Sequence, residues 1–194
     1  FSRTETEDKG RGVLLYETPA EAISSTLYQK PLAHPSACAK LYRRRVFDGI
    51  EHFVSGRRYE DLEIFPRLYM NARRLAVTDR PVYYYRPNPA SFINSWTPDR
   101  LDTLWATERI ADYVRKTCPE LSGAATARRF SAVFNMFNMA SKVGNQELAR
   151  NCFDELKQLR KGILKDSNVR VKNKIGALMT YAGMHIASQI GRRF

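Results

Sequence analysis

The clearest hydrophobic pattern in the first half of the chain runs from about residue 60 to residue 74. Apolar side chains recur at helical spacing, which predicts a helix with one face against a core. They are Leu62, Phe65, Leu68, Tyr69 and Ala72. Pro66 falls inside the pattern, and proline lacks the N–H and clashes with the carbonyl four residues earlier. The sequence therefore predicts either a single turn followed by a helix that begins at Pro66, or a helix kinked there.

Two adjacent carboxylates, Glu60 and Asp61, open this segment. Free N–H groups and the helix macrodipole favour negative charge in a first helical turn. The simplest interpretation is therefore a helix start that the pair stabilises. The alternative is a positioned general base on a rigid element, and the residues that surround the pair decide between the two.

The chain before these carboxylates is predicted to form short elements. Residues 1–18 favour a ragged hairpin whose second strand is residues 12–16, with the first strand and a turn ahead of it. Thr18 is placed to be the N-cap of a helix that continues to about residue 28. Pro19 would occupy its first position and Glu21 its third.

Further short elements are predicted from local composition. Residues 38–42 are apolar-rich and favour a strand, and residues 43–47 favour a single helical turn before a glycine. β-Branched and aromatic residues predict strands at 75–79 and 81–86. The proline-rich stretch that follows predicts a loop.

From Asp99 onward the apolar spacing is helical. Three helices are predicted, separated by Pro119 and by Gly144-Asn145. Their apolar stripes are Leu101, Leu104, Trp105 and Ile110; Phe130, Val133, Phe134 and Phe137; and Leu148, Cys152, Leu156, Leu159 and Ile163. Such stripes usually face a core, so we expect a helical C-terminal region.

The last segment combines an apolar stretch with strong positive charge. Residues 175–190 are apolar and rich in small residues, and from residue 157 onward Asp166 is the single carboxylate among many basic residues. The stretch is too short to span a bilayer comfortably. Two interpretations stay open: a helix in an anionic membrane interface, or a core-packing helix with a solvated basic rim.

Composition narrows the partners and the compartment. The 194 residues carry a formal net charge of +12, which favours nucleic acid, an acidic membrane surface or phosphorylated substrates. Three widely spaced cysteines without a C-x-x-C motif favour a reducing compartment, and no histidine pair has metal-ligand spacing. With no visible signal peptide or membrane-spanning run, we expect a cytoplasmic protein that can associate peripherally with the inner face of the cell membrane.

Three sequence pieces occur in one order and together resemble a known family. They are Lys40-Leu41-Tyr42-Arg43-Arg44 with Val46-Phe47, then Tyr59-Glu60-Asp61-Leu62, then Val82-Tyr83-Tyr84-Tyr85-Arg86 with Asn88-Pro89-Ala90-Ser91. This ordered set resembles the C-terminal half of a family 2 glycosyltransferase of the GT-A fold. Such enzymes build bacterial capsule, lipopolysaccharide or exopolysaccharide.

The resemblance implies a fold, a domain division and a reaction. The fold class would be α/β, with a partial GT-A domain that has a small mixed sheet in residues 1–97. A mainly α-helical C-terminal region with a basic tail would follow in residues 98–194. The reaction would transfer a sugar, with inversion, from a nucleotide-sugar donor to a hydroxyl of a saccharide or lipid-linked acceptor.

The same resemblance implies roles for individual residues. Asp61 matches the general base, which is needed because an alcohol is a poor nucleophile until its proton is removed. Glu60 would raise the pKa of the carboxylate pair or hold acceptor hydroxyls. Arg86 would neutralise the leaving diphosphate, Ser91 would add a hydroxyl to the same loop, and Lys40 would contact donor or acceptor.

The main departure from the family concerns the metal. Enzymes of this type hold a divalent cation, Mg²⁺ or Mn²⁺, through an Asp-x-Asp or similar acidic motif in a nucleotide-binding half. The sequence has no Asp-x-Asp and no glycine-rich phosphate loop. We therefore expect the complete enzyme to need a cation whose ligands are not in this chain, and the chain itself to be an acceptor-side fragment without turnover of its own.

Two non-catalytic alternatives also explain the charge. The chain would be a basic helical module that binds nucleic acid, or a peripheral adaptor on an anionic membrane. Arginine and an aromatic residue do adjoin at Arg128-Arg129-Phe130, but Phe130 falls on an apolar stripe and no nucleic-acid-binding motif is visible. Nucleic acid is therefore not an expected partner, and neither alternative accounts for the ordered sequence pieces.

Overall fold

Helices form most of the described chain. The computed structural model of the protein describes residues 13–16, 18–31, 34–78, 80–81, 83–84, 86–88, 91 and 95–191. Their α-helices are α1 (Pro19–Leu27), α2 (Glu60–Asn71), α3 (Asp102–Thr117), α4 (Ser122–Val143), α5 (Gln146–Lys165), α6 (Val171–Met179) and α7 (Met184–Gly191). Short 3-10 helices lie at Arg44–Phe47, Pro98–Leu101, Pro119–Leu121 and Thr180–Ala182.

The strands β1 (Val13–Tyr16) and β2 (Leu75–Thr78) pair antiparallel, with Val13 opposite Thr78. The prediction of an α/β fold, a partial GT-A fold with a small mixed sheet, is therefore wrong. Within the described ranges the sheet has two strands, and the rest of the regular structure is helical. The second strand of the predicted hairpin is confirmed, but its partner is β2, and the first strand and its turn fall outside the described residues.

Two predicted strands are wrong. Residues 38–42 have no regular secondary structure, and neither do the described positions of segment 81–86. The backbone N–H and C=O groups of a strand must bond to a neighbouring strand. A composition rich in aromatic residues does not provide that neighbouring strand. Successive side chains of a strand alternate between its two faces, but both Tyr83 and Tyr84 are exposed.

Local chemistry explains where the first helices begin. The Glu21 amide donates to Thr18 Oγ1 at 3.2 Å, and the Thr18 amide donates to Glu21 Oε2 at 3.1 Å, which confirms the capping box of α1. The single turn predicted at 43–47 is confirmed as the 3-10 helix. Helix α2 runs through the buried Pro66 without ending, so no new helix begins there.

The three long helices predicted after Asp99 are confirmed as α3, α4 and α5. Two hydrophobic clusters hold the helices together. The first joins α1, α2 and α3, with Ile23, Leu62, Phe65 and Ile110 fully buried. The second joins α4, α5 and α6, with Phe130, Phe137, Leu156 and Ile163 fully buried.

The apolar stretch 175–190 forms two short helices instead of one. Gly183, with a φ of 92°, lies between the 3-10 turn that follows α6 and the start of α7. Ala177 and Ala187 are buried, whereas Ile175 and Leu178 are exposed. The segment is thus packed against the core on one face and exposed on the other, and its placement in a membrane interface stays a prediction.

Polar contacts also tie distant parts of the chain together. Tyr28, at the C-terminal end of α1, donates its hydroxyl to Asp166 Oδ2 at 2.6 Å, across 138 residues of sequence. Asp102, at the start of α3, accepts from Arg57 Nη1 and from the Arg58 amide, each at 2.8 Å. These bonds fix the loop before α2 against α3 and the end of α1 against the α5–α6 connection.

A buried carboxylate links α2 to α3. Glu63 is 1% exposed, and its oxygens lie 2.5 Å from Arg67 Nη2 and 3.3 Å from Arg109 Nε. The two guanidinium groups give the buried charge its partners. No helix within the described ranges is long and apolar enough to cross a membrane.

Candidate functional site

Asp61 lies in the first turn of α2, directly after an unusual backbone conformation. Tyr59 is the N-cap of the helix and adopts a left-handed conformation with a φ of 60°. That region costs a residue with a side chain of this size about 1 kcal/mol or more and is found most often at functional sites. Glu60, partly buried, follows as the first helical residue.

The Asp61 carboxylate is held by two backbone amides. The Leu62 amide donates to Oδ1 at 2.7 Å, and the Ala37 amide donates to Oδ2 at 3.3 Å. The second bond brings the loop at residues 34–40 onto the start of α2. The carboxylate therefore stabilises the start of α2, as the simplest interpretation of the sequence predicts. It also holds the loop at residues 34–40 beside the helix.

Five titratable groups sense the Asp61 charge, namely His34, Lys40, Tyr42, Tyr59 and Arg128. Burial lowers the pKa of Lys40, and Asp61 partly opposes that shift. Burial and the neighbouring Lys40 lower the pKa of His34, again against Asp61. Burial and Asp61 together raise the pKa of Tyr42 to about 12. Asp61 also acts on Arg128, so cationic and phenolic side chains surround it.

The predicted residue Lys40 is thus brought together with Asp61. Its ammonium group donates to the Ser36 carbonyl, in the same loop that the Ala37 amide fastens to Asp61. Lys40 is partly buried, which is unusual for a lysine without a directly bonded carboxylate. A loop that presents an ammonium group and an imidazole next to a carboxylate can bind a polar ligand with anionic and hydroxyl groups.

Arg86 and Ser91 form a separate group. Together with Tyr83, Tyr84 and Asn88 they line an open depression of about 610 Å³. The Ser91 amide donates to the Asn88 carbonyl at 3.0 Å, which closes a turn at this point. Neither Lys40 nor Asp61 lines the depression, so the five predicted site residues fall into two groups on the surface.

Sequence reasoning missed a polar cavity next to the carboxylate. The cavity has a volume of about 120 Å³ and lies between the N-cap of α2, the start of α3 and one face of α4. Tyr59, Arg100, Arg128, Ser131 and Asn135 contribute to its wall. The residues come from three distant segments, and the one local signal is that Arg128 directly follows the buried Ala127 on α4.

The described residues do not form a metal site. Among them, no three His, Cys, Asp or Glu side chains are grouped closely enough to hold a cation. The predicted Mg²⁺ or Mn²⁺ therefore has no ligand set in this part of the chain, and no step below is assigned to it.

Comparison with known proteins adds no assignment. No protein-family model, no curated protein and no solved structure matches the chain.

Proposed function

We propose that the chain supplies the acceptor side of an inverting glycosyltransferase, with Asp61 as the general base. The observation that carries the proposal is the surroundings of Asp61: two amides fix its oxygens, and Lys40 and His34 lie on the loop that it holds. The proposal concerns this chemistry and the ordered sequence pieces, and it does not depend on a GT-A sheet.

In this proposal Asp61 takes the proton of the acceptor hydroxyl as the oxygen attacks the anomeric carbon of the nucleotide-sugar. The helix start keeps the carboxylate in place, so that the acceptor and not the base is the mobile partner. Lys40 and Glu60 would bind acceptor hydroxyls on either side of it. Arg86 and Ser91 would contact the donor diphosphate as it leaves.

The proposal extends to partners and location. The acceptor would be a saccharide or a lipid-linked saccharide of cell-surface polysaccharide synthesis, at the cytoplasmic face of the membrane. The complete enzyme would need a divalent cation and a nucleotide-binding part for the donor. We therefore expect the 194 residues alone to show no turnover of any nucleotide-sugar.

The test is sugar transfer by the protein expressed from its complete reading frame, assayed with a panel of nucleotide-sugars. Asp61→Asn is expected to lower kcat by roughly 10²–10⁴-fold, which is the typical contribution of a general base. Asp112→Asn is the matched control, since Asp112 lies half-exposed on α3 in a surface ion pair. An Asp61→Asn variant that folds and keeps its full kcat would refute the proposal.

An exposed apolar face on α6 favours a second candidate function, peripheral binding to an anionic membrane. Val171, Ile175 and Leu178 are 72, 40 and 57% exposed and recur at helical spacing on one side. Lys172 and Lys174 lie on the same helix. An apolar stripe with basic neighbours matches a lipid surface, whereas a nucleic acid would gain nothing from the stripe.

Vesicle cosedimentation tests this second function. Binding is expected to vesicles that contain phosphatidylglycerol, to be weaker on pure phosphatidylcholine, and to fall with added salt. Leu178→Glu should reduce binding strongly, while Gln146→Glu, with the same charge change at an exposed position of α5, should change it little. Equal binding of both variants would show that α6 does not face the membrane.

A further inference from the structure

Three guanidinium groups lie around the cavity beside Tyr59. Arg100 and Arg128 line it, and Arg170, the N-cap of α6, reaches its edge by donating from Nη2 to Ser131 Oγ at 3.0 Å. Their segments are the 3-10 helix before α3, the helix α4 and the α5–α6 connection. The fold therefore brings positive charge from three separate parts of the chain to one recess.

Arg128 carries the argument, because its side chain is built into the wall without a bonded anion. Its Nε is fully buried and makes no hydrogen bond within the described residues. The nearest groups that favour its charge are Tyr59 and Asp61, which act on it through space. Burial and the neighbouring Arg170 lower the pKa of Arg128 to about 10, far below the usual arginine value.

Arg128 itself makes no ion pair with a carboxylate among the described residues. Asp102 is bonded to Arg57 and to the Arg58 amide. Asp61 is bonded to the Leu62 and Ala37 amides, and its charge acts on Arg128 only through space. A buried cation without a bonded counter-ion destabilises a fold, and perturbed charges of this kind cluster at functional sites.

We propose that this cavity is an anion site that binds a phosphate or diphosphate group of a small molecule. The guanidinium of Arg128 would bond the anion through the planar fork that suits phosphate oxygens, with Arg100 and Arg170 completing the charge. The Asn135 amide would add a neutral donor. The volume of about 120 Å³ is several times the roughly 30 Å³ that one water occupies, which leaves room for a phosphate group.

The strained backbone at Tyr59 fits this assignment. Tyr59, with its left-handed φ of 60°, lines the cavity and is also the N-cap of α2. An anion in the cavity would therefore lie next to the helix start that carries Asp61. The inference does not require Asp61 to act as a base, since it rests on the charge and burial of the cavity alone.

The experiment is thermal unfolding of the purified protein with inorganic phosphate, inorganic pyrophosphate, uridine diphosphate and farnesyl diphosphate. A ligand that binds the folded state raises Tm with concentration. A shift with at least one of the four is expected, and the compound with the largest shift identifies the source as a free, nucleoside-linked or lipid-linked phosphate. No shift with any of them overturns the proposal.

Arg128→Met separates a binding role from a structural one. Removing a buried charge that has no bonded partner should raise Tm in the absence of ligand, and the affinity should fall by about 10–100-fold, the usual loss for a hydrogen bond to a charged group. Arg150→Met, at an exposed position of α5, should change neither quantity. A lower Tm together with unchanged affinity would overturn the assignment.

A second variant keeps the test decisive if Arg128→Met does not fold. Asn135 lines the cavity and is exposed, so a substitution there does not disturb a buried side chain. Asn135→Asp places a carboxylate against the bound anion, so the affinity should fall while Tm without ligand stays close to that of the unmodified protein. Unchanged affinity in this variant would overturn the proposal.

Discussion

Gly176 of α6 packs closely against α4, and it yields the sharpest stability prediction. A methyl group at this position would lie 2.9 Å from Cζ of Phe134 and 3.0 Å from its Cε1. Phe134 is itself fixed, because it is 2% exposed and stacks on Phe130 with ring centroids 6.1 Å apart. Gly176→Ala therefore forces either the ring or the helix to move.

The size of the effect follows from two opposing terms. Alanine favours a helix interior over glycine by about 1 kcal/mol, whereas an extra methyl in a packed core costs about 1–3 kcal/mol. Gly162 provides the matched control, since it lies inside α5 and nothing is within 4 Å of its missing methyl. Gly162→Ala should gain the first term alone.

The assay is chemical denaturation of both variants, with the slope of the transition checked for two-state behaviour. We expect Gly162→Ala to be more stable than the unmodified protein by roughly 0.5–1 kcal/mol. Gly176→Ala should be about 1–3 kcal/mol less stable than Gly162→Ala. Equal stabilisation of the two variants would show that α6 does not pack on Phe134 at this distance.

Three further predictions concern buried polar groups. Glu63→Gln should lower the free energy of unfolding by about 1–3 kcal/mol in the same assay. The loss should be smaller than for a fully buried ion pair, because the two arginines that contact Glu63 are partly hydrated. An unchanged denaturation midpoint would contradict this prediction. Burial alone would raise the pKa of Asp102, but the Arg58 amide and the Arg57 guanidinium outweigh it and the pKa is lowered. The stability that this carboxylate contributes is therefore complete above its unfolded pKa of about 3.9 and is lost as the pH falls through the lower folded value. Asp102→Asn should flatten the dependence of Tm on pH in that acid range, and an identical acid profile would refute the assignment. Burial raises the pKa of Cys152 to about 12. A thiol reagent should therefore label the exposed Cys38 in the native protein and leave Cys152 unlabelled until the protein unfolds. Rapid labelling of Cys152 in the native protein would contradict its burial.

The sequence predicted the helices better than the sheet, for a physical reason. The stripes of α4 and α5 repeat over many turns, so a helix is specified locally. The capping box at Thr18 and Glu21 is also local, since both partners lie within one turn. Strand formation depends on a partner strand that lies far along the chain. The composition of residues 81–86 contained no information about whether such a partner strand exists.

The candidate site was predictable in part. Lys40 and Asp61 were predicted from the order of short sequence pieces, and the structure places them together. Arg128 was not assigned to the site, because it approaches Asp61 only through the packing of α4 against the first helices. A positive charge beside buried helix positions is the sequence feature that marks such a residue, and it does not reveal which carboxylate the residue will approach.

The Tyr28–Asp166 hydrogen bond can form only late in the synthesis of the chain. Its two residues are 138 positions apart, so the end of α1 gains this bond only after the end of α5 has been synthesised. Closing so long a loop is entropically costly and slows folding. The surroundings of Asp61 are also completed after α2, since Arg128 comes from α4. A ribosome-bound chain that has emerged only through α3 therefore carries the candidate base without this cationic neighbour.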